Sequence, residues 1–222
     1  MLTSGFEPIR AASLVDEAHR QIRAQVLNGE LRPGDPLRDS VLAEQMGISR
    51  SPVREALRLL EQSGLVEKAA NRSYRISLLA AADVPELAAL RAADEVLAVR
   101  FIVKNRSSLA PLDAVIRRLR DAAGDPVEAA AADASFHAEA VALAGLPRLS
   151  ARYADLTDQI RLVLMAGGLE QEQYGDQLVD NHVQLRNALQ AAIDSGSTHE
   201  VVPLWESHVL AGMAAPHLLE SL

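Results

Sequence analysis

The spacing of apolar positions divides the chain into a mixed first third and a wholly helical remainder. Residues 12–28 carry Leu14, Ala18, Ile22 and Val26 at intervals of four, the stripe of an amphipathic helix. The stretch "NGELRPGDPL" breaks that period with Gly29, Pro33, Gly34 and Pro36. A short helix is expected at 39–46, "DSVLAEQM". "GIS" then makes a tight turn, with Ser49 or Ser51 as N-cap and Pro52 near the first position of the next helix. That helix, "PVREALRLLEQSG", is closed by Gly64, and Val53, Ala56, Leu57 and Leu60 form its core-facing side. "LVEKAANRSYRISLL" alternates around a polar centre, as a two-stranded hairpin does. Six further segments, 83–104, 111–122, 126–144, 148–166, 174–195 and 198–220, keep a helical period, with breaks at 105–111, 124–126, 145–147, 167–168 and 195–197. The expected fold is mainly α, a winged helix-turn-helix at 1–78 followed by an all-α bundle of about six helices at 83–222.

Composition supports this reading and removes several function classes. The chain has 222 residues and is 49% hydrophobic but only 3% aromatic, rich in the Ala and Leu that cost least in a helix. No apolar run approaches the ~20 residues of a membrane span. The opening "MLTSGFEPIRAASL" lacks the blocks of a secretory signal, and there is no cysteine for a disulfide framework or a thiolate site. A cytoplasmic protein without membrane contact is expected. The net charge of −8 argues against nucleic acid until its distribution is considered. Residues 1–78 are net +1 and residues 79–222 net −9, and residues 47–75 hold six Lys/Arg against three Asp/Glu. Such local patches steer toward phosphate more than the total does.

Two constellations carry chemistry. Arg50, Arg54 and Arg58, spaced by four, form one ridge, and Ser49 and Ser51 sit at the helix start, where hydroxyls and free N–H groups can bind phosphate. An ordinary amphipathic helix with solvated arginines would share that pattern. In the second constellation, Asp133 and His137 share a helix face, which by itself could be a solvated surface pair. His182 lies on the apolar stripe Leu178, Leu185, Leu189, Ile193, and His208 on the stripe Val201, Leu204, Trp205, Ala211. A single such histidine is usually a satisfied core residue. One carboxylate and three imidazoles together suit a divalent cation such as Zn²⁺, Ni²⁺, Mn²⁺ or Fe²⁺, with zinc the default.

The order of elements adds a resemblance. "G-x-L-x-P-G" at 29–34, "LAEQMGISRSPVREAL" at 42–57 and "LEQSGLVE" at 60–67 resemble the winged helix-turn-helix of the GntR family of bacterial transcription regulators. This implies double-stranded operator DNA as partner, with Arg50 and Arg54 as contacts flanked by Ser49 and Ser51. Ser40 stands where some relatives carry an arginine, with Arg38 two residues earlier. Ser73 stands where the wing tip usually has glycine, with Arg72 beside it to reach a groove or phosphate. Residues 83–219 resemble the FCD effector domain of the FadR subgroup through "ELAALRAADEVLAVRFI", "DASFHAEAVALAGLPRL", "NHVQLRNALQAAIDSG" and "WESHV". That implies a divalent cation on Asp133, His137, His182 and His208. A small carboxylate effector would bind beside it, held by Arg91 or Arg161. An i,i+4 ion pair with Glu95 is the plainer use of Arg91. Two-fold operators with half-sites ~34 Å apart, or a multiple of it, call for a homodimer. The expected function is a ligand-responsive transcription regulator, not an enzyme, whose metal anchors the effector. A purely structural metal, and a metalloenzyme with an accessory DNA-binding domain, remain open at this point.

Overall fold

The computed structural model describes residues 12–69, 73–79, 81–122, 125–166 and 176–213. Its contacts separate two compact units, Met1–Leu79 and Ala80–Leu222. The first contains helices α1 (Ala12–Leu27), α2 (Asp39–Met46) and α3 (Arg50–Gln62) and three short strands, β1 (Pro36–Leu37), β2 (Val66–Lys68) and β3 (Tyr74–Ile76). The sheet is antiparallel with order β1-β3-β2, pairing Leu37 with Tyr74 and Val66 with Ile76. The β2–β3 hairpin is the expected one. Strand β1 was not expected, because two residues are too few to display an alternation. It is placed by Gly34, whose backbone (φ +87°) suits glycine and whose N–H donates to the Ile76 carbonyl.

The helix-turn-helix follows from local chemistry. Gly47 ends α2 in the left-handed conformation (φ 65°), and its N–H bonds back to Ala43 and Glu44. Ser49 then adopts the extended N-cap conformation that starts α3. The expected inner face of α3, Val53, Ala56, Leu57 and Leu60, is wholly buried against α1 through Ala18, Ile22 and Val26, with Leu65 and Ile76 closing the core. Leu14, expected on the same stripe of α1, is 48% exposed. It lies in the first turn of α1 and lines a surface concavity beside α3 instead of the core.

The second unit is helical among its described residues: α4 (Val84–Asn105), α5 (Ala110–Asp121), α6 (Pro126–Leu143), α7 (Pro147–Ala166), α8 (Asp176–Ser195) and α9 (Val201–Gly212), preceded by a single 3₁₀ turn. Each expected helix is found, and residues 174–175 and 214–220 of the expected spans lie outside the described residues. Helix α4 is central, packing on α6, α7, α8 and α9. Its inner face mixes Ala88, Ala92, Ala98, Val99 and Ile102 with three buried charged residues, Arg91, Asp94 and Glu95. Among the described residues no helix is long and apolar enough to cross a membrane.

Leu57 is fully buried at the junction of α1, α3 and the sheet. Leu57→Ala should therefore cost about 2–5 kcal/mol through lost transfer energy and a residual cavity. The loss should appear as reduced hydrogen-exchange protection in α1 and α3, with the helices of the second unit unaffected.

Candidate functional site

The bundle brings three of the expected histidines to one point. His137 from α6, His182 from α8 and His208 from α9 present ring nitrogens that all lie within 4.8 Å of one another. His137 and His182 are buried and His208 is partly buried. The Nε2 of His137 is 3.4 Å from the Nε2 of both His182 and His208. Asp133, one turn before His137, sets its Oδ1 3.1 Å from His182 Nε2 and 3.9 Å from His137 Nε2. Phe136 walls the group, edge-on to His182 at 4.6 Å and stacked on Trp205 at 5.9 Å between centroids.

The far side of each ring explains the orientation. Nδ1–H of His137 donates to Glu95 Oε2 at 2.6 Å, and Nδ1–H of His182 donates to the Leu178 carbonyl at 2.8 Å. With Nδ1 carrying the proton, a neutral ring turns an unshared pair at Nε2 toward the centre. Burial pushes the pKa of His137 down; Glu95 pulls it up, but Arg91 adds to the depression. Burial, and then the neighbouring His137 and His182, push His208 down to about 3. Burial also opposes ionisation of Asp133, but its neighbours, the His182 ring first and the Arg91 guanidinium last, outweigh it and hold the carboxyl below its usual range.

Lone pairs 3.4 Å apart repel unless a cation lies between them. A divalent ion bound at ~2.0–2.1 Å from each nitrogen would space its ligands by about 3.0–3.4 Å, so the donor set and its spacing fit such an ion. The N–H partners behind the rings are the outer hydrogen bonds that metal-ligating imidazoles need.

Behind the histidines stands a residue that sequence reasoning treated only as a partner for Arg91. Glu95 is fully buried and accepts four hydrogen bonds: from Arg91 Nε at 2.8 Å, His137 Nδ1 at 2.6 Å, Tyr153 Oη at 2.6 Å and Trp205 Nε1 at 2.7 Å. Burial alone would raise its pKa, but attraction to His137 and Arg91 and the hydrogen bonds from His137 and Tyr153 hold it well below the carboxylate range. The carboxylate thus joins α4, α6, α7 and α9. A signal for it existed. The single Trp and one of only three Tyr lie on apolar helices, and a buried indole N–H or phenol needs a partner.

The expected Arg91–Glu95 ion pair is present, and Arg91 is 5% exposed. Arg161 is partly buried on α7, eight residues beyond Tyr153.

The other face lies in the first unit. Ser49, Arg50, Ser51, Arg54 and Arg58 are all exposed and line one concavity of about 880 Å³, together with Leu14, Val15, Pro52, Glu55 and Tyr74. Ser49 holds the N-cap position without a side-chain cap bond, so its hydroxyl does not close the helix start. The arginines are engaged by acids that the sequence reading did not single out. Asp39 at the start of α2 bonds Arg50 at 2.9 and 3.0 Å and lies 3.6 Å from Arg54 Nε, and Arg58 bonds Glu55 at 2.6 Å. The Asp39 link crosses the turn over eleven positions, beyond any local pairing rule. Arg72 lies outside the described residues.

Two family models match the chain, one over each unit. Residues 14–76 match the family described as bacterial regulatory proteins, gntR family, and residues 86–210 match the FCD domain. The chain belongs to the gntR family of bacterial regulatory proteins and carries an FCD domain. It is 38% identical over 85 residues to the uncharacterized HTH-type regulator YdhC of Bacillus subtilis, a match covering 38% of each chain and so well under two thirds of that relative's length. It is 28% identical over 194 residues to the probable D-xylose utilization operon transcriptional repressor of Paenarthrobacter nicotinovorans, covering 86% of this chain and 83% of that one. Two solved structures share the fold at 21% identity. A GntR regulator from Rhodococcus sp. RHA1 has a TM-score of 0.80 over 95% of this chain and 99% of that one. McbR/YncC of E. coli has a TM-score of 0.74 over 93% and 98%.

Glu95→Ala leaves a buried guanidinium and three further donors without their acceptor. The substitution should cost about 3–5 kcal/mol. Denaturant unfolding followed by the fluorescence of Trp205, the chain's one Trp, measures it.

Proposed function

We propose that the chain is a ligand-responsive regulator of the FadR subgroup, working as a homodimer on double-stranded operator DNA in the cytoplasm, where the chromosome lies. In this reading Asp133, His137, His182 and His208 hold one divalent cation, with zinc the default for such a donor set. The observation that carries it is the convergence of the three imidazoles, with His137 Nε2 3.4 Å from the Nε2 of His182 and of His208 and Asp133 Oδ1 3.1 Å from His182 Nε2, the rings of His137 and His182 being fixed from behind. The cation would supply a Lewis-acid anchor for a small carboxylate effector, and Arg91, buried and paired with Glu95, is read as completing its recognition. Arg161 is the second candidate for that role. The purely structural alternative uses the same ligands without a place for the effector.

On the DNA side, Ser49 and Ser51 at the start of α3 are read as phosphate contacts and Arg50 and Arg54 as base-reading contacts, with Arg58 and Arg72 as backbone contacts. Phosphate and base acceptors would take over the arginine N–H groups that Asp39 now accepts. An effector alters operator affinity only by its differential affinity for the states that bind and release DNA.

Two experiments test these assignments. Arg54→Ala should weaken binding to an in-vitro selected operator by about 1–3 kcal/mol and relax specificity at one position, read by fluorescence anisotropy. In the second, the protein is stripped with chelator and assayed for operator binding across a panel of small carboxylic acids. The acid response should vanish on stripping and return with added metal, and His182→Ala should abolish stoichiometric metal. Stripped protein that keeps unchanged acid and operator affinities refutes the anchor, and full metal in His182→Ala refutes the ligand set.

A further inference from the structure

The two oxygens of Glu95 divide their partners in a telling way. Oε1 accepts from Arg91 Nε and Tyr153 Oη, and Oε2 accepts from His137 Nδ1 and Trp205 Nε1. Both partners of Oε2 lie on helices that carry a ring of the histidine group. His137 is itself one of its members. Trp205, fully buried, precedes His208 by three positions on α9, so the two share one side of that helix. His182 is held separately, by the Leu178 carbonyl at Nδ1 and by Asp133 Oδ1 at Nε2.

We propose that Glu95, itself outside the donor set, is the positioning residue of the cation site, holding His137 directly and His208 through Trp205, so that cation affinity depends on its two accepting oxygens. This rests on the cation reading above and names the residue that controls the site. Shape alone does not meet the demand. Arg91 Nε and Trp205 Nε1 can only donate, and they meet different oxygens, so both oxygens must accept. A carboxylate satisfies this twice, and an amide of the same shape satisfies it once. In Glu95→Gln the amide oxygen is drawn to the Arg91 guanidinium, because a bond from a charged donor is the stronger. The NH₂ group then faces His137 and Trp205. The imidazole answers it by presenting an unprotonated Nδ1, which moves the ring proton to Nε2, the atom that must be free to bind a cation. The indole N–H has no such answer. Left against another donor, it loosens the turn of α9 that carries His208. His182 keeps both of its contacts.

The test uses the full chain, stripped of metal and titrated with zinc in competition with a chromophoric chelator. Imidazole ¹⁵N NMR on the stripped protein reads the tautomers. Wild type should bind zinc and show His137 protonated at Nδ1. Glu95→Gln should move that proton to Nε2 and lower zinc affinity about 10–100-fold, with the helical circular dichroism of wild type. Tyr153→Phe removes a donor from Oε1 alone, so it should lower thermal stability but leave zinc affinity and the His137 tautomer unchanged. Trp205→Phe removes a donor from Oε2 and should weaken zinc binding without altering the tautomer; it decides the matter if Glu95→Gln does not fold. A folded Glu95→Gln with wild-type zinc affinity overturns the positioning role. So does a Tyr153→Phe that loses as much affinity as Glu95→Gln, since a general loosening of the core would then explain both. Trp205→Phe with unchanged zinc affinity overturns the link to His208. Wild type that binds no zinc overturns the cation reading itself, and this inference with it.

Discussion

The four hydrogen bonds converging on Glu95 are the constraint around which the effector domain is arranged. A carboxylate with no solvent exposure is tolerable only when its charge and its lone pairs are all answered, since an isolated buried ion would cost many kcal/mol. Arg91 answers the charge, and His137, Tyr153 and Trp205 complete the shell. Each donor arrives from a different place in the fold: the same helix, α6, α7 and α9. Their side-chain lengths and directions must therefore agree with the packing of four helices at once, which is a strong demand on bundle geometry.

That demand has a chemical consequence. Accepting the Nδ1 proton of His137 selects that ring's tautomer and aims its Nε2 at His182 and His208. The Leu178 carbonyl does the same for His182 from within α8. A largely aliphatic and aromatic interior thus contains a small polar centre whose electron pairs face inward. The DNA-reading unit solves a related problem at its surface. Asp39 and Glu55 pair with the exposed Arg50, Arg54 and Arg58. Such exposed pairs add little stability, so a phosphate would displace them at small cost.

Much of this was legible in the sequence because it was periodic. The helices follow from the apolar stripes, and the inner face of α3 follows residue for residue. His182 and His208 stood out because each interrupted a stripe that otherwise read as core, and His137 because it shares a helix face with Asp133. Strand β1 was invisible, since two residues carry no period. Leu14 misled because a stripe gives the face of a helix but not where its covering neighbour ends. Glu95 was visible only as an i,i+4 neighbour of Arg91, because its bonds to Tyr153 and Trp205 span 58 and 110 positions. Asp39 escaped for the same reason over a shorter distance. Side chains that meet through tertiary packing leave no local mark unless one of them is of an unexpected type for its face.

In the proposed reading three imidazoles and one carboxylate in the bundle hold a cation. Its most direct test is X-ray absorption at the metal edge, combined with elemental analysis, on the full chain purified from zinc-supplemented medium. The account predicts one equivalent of metal per chain, with a first shell of three imidazole nitrogens and at least one oxygen at ~2.0–2.2 Å. Protein that purifies with no stoichiometric metal, or a metal whose shell lacks imidazole scattering, would contradict it.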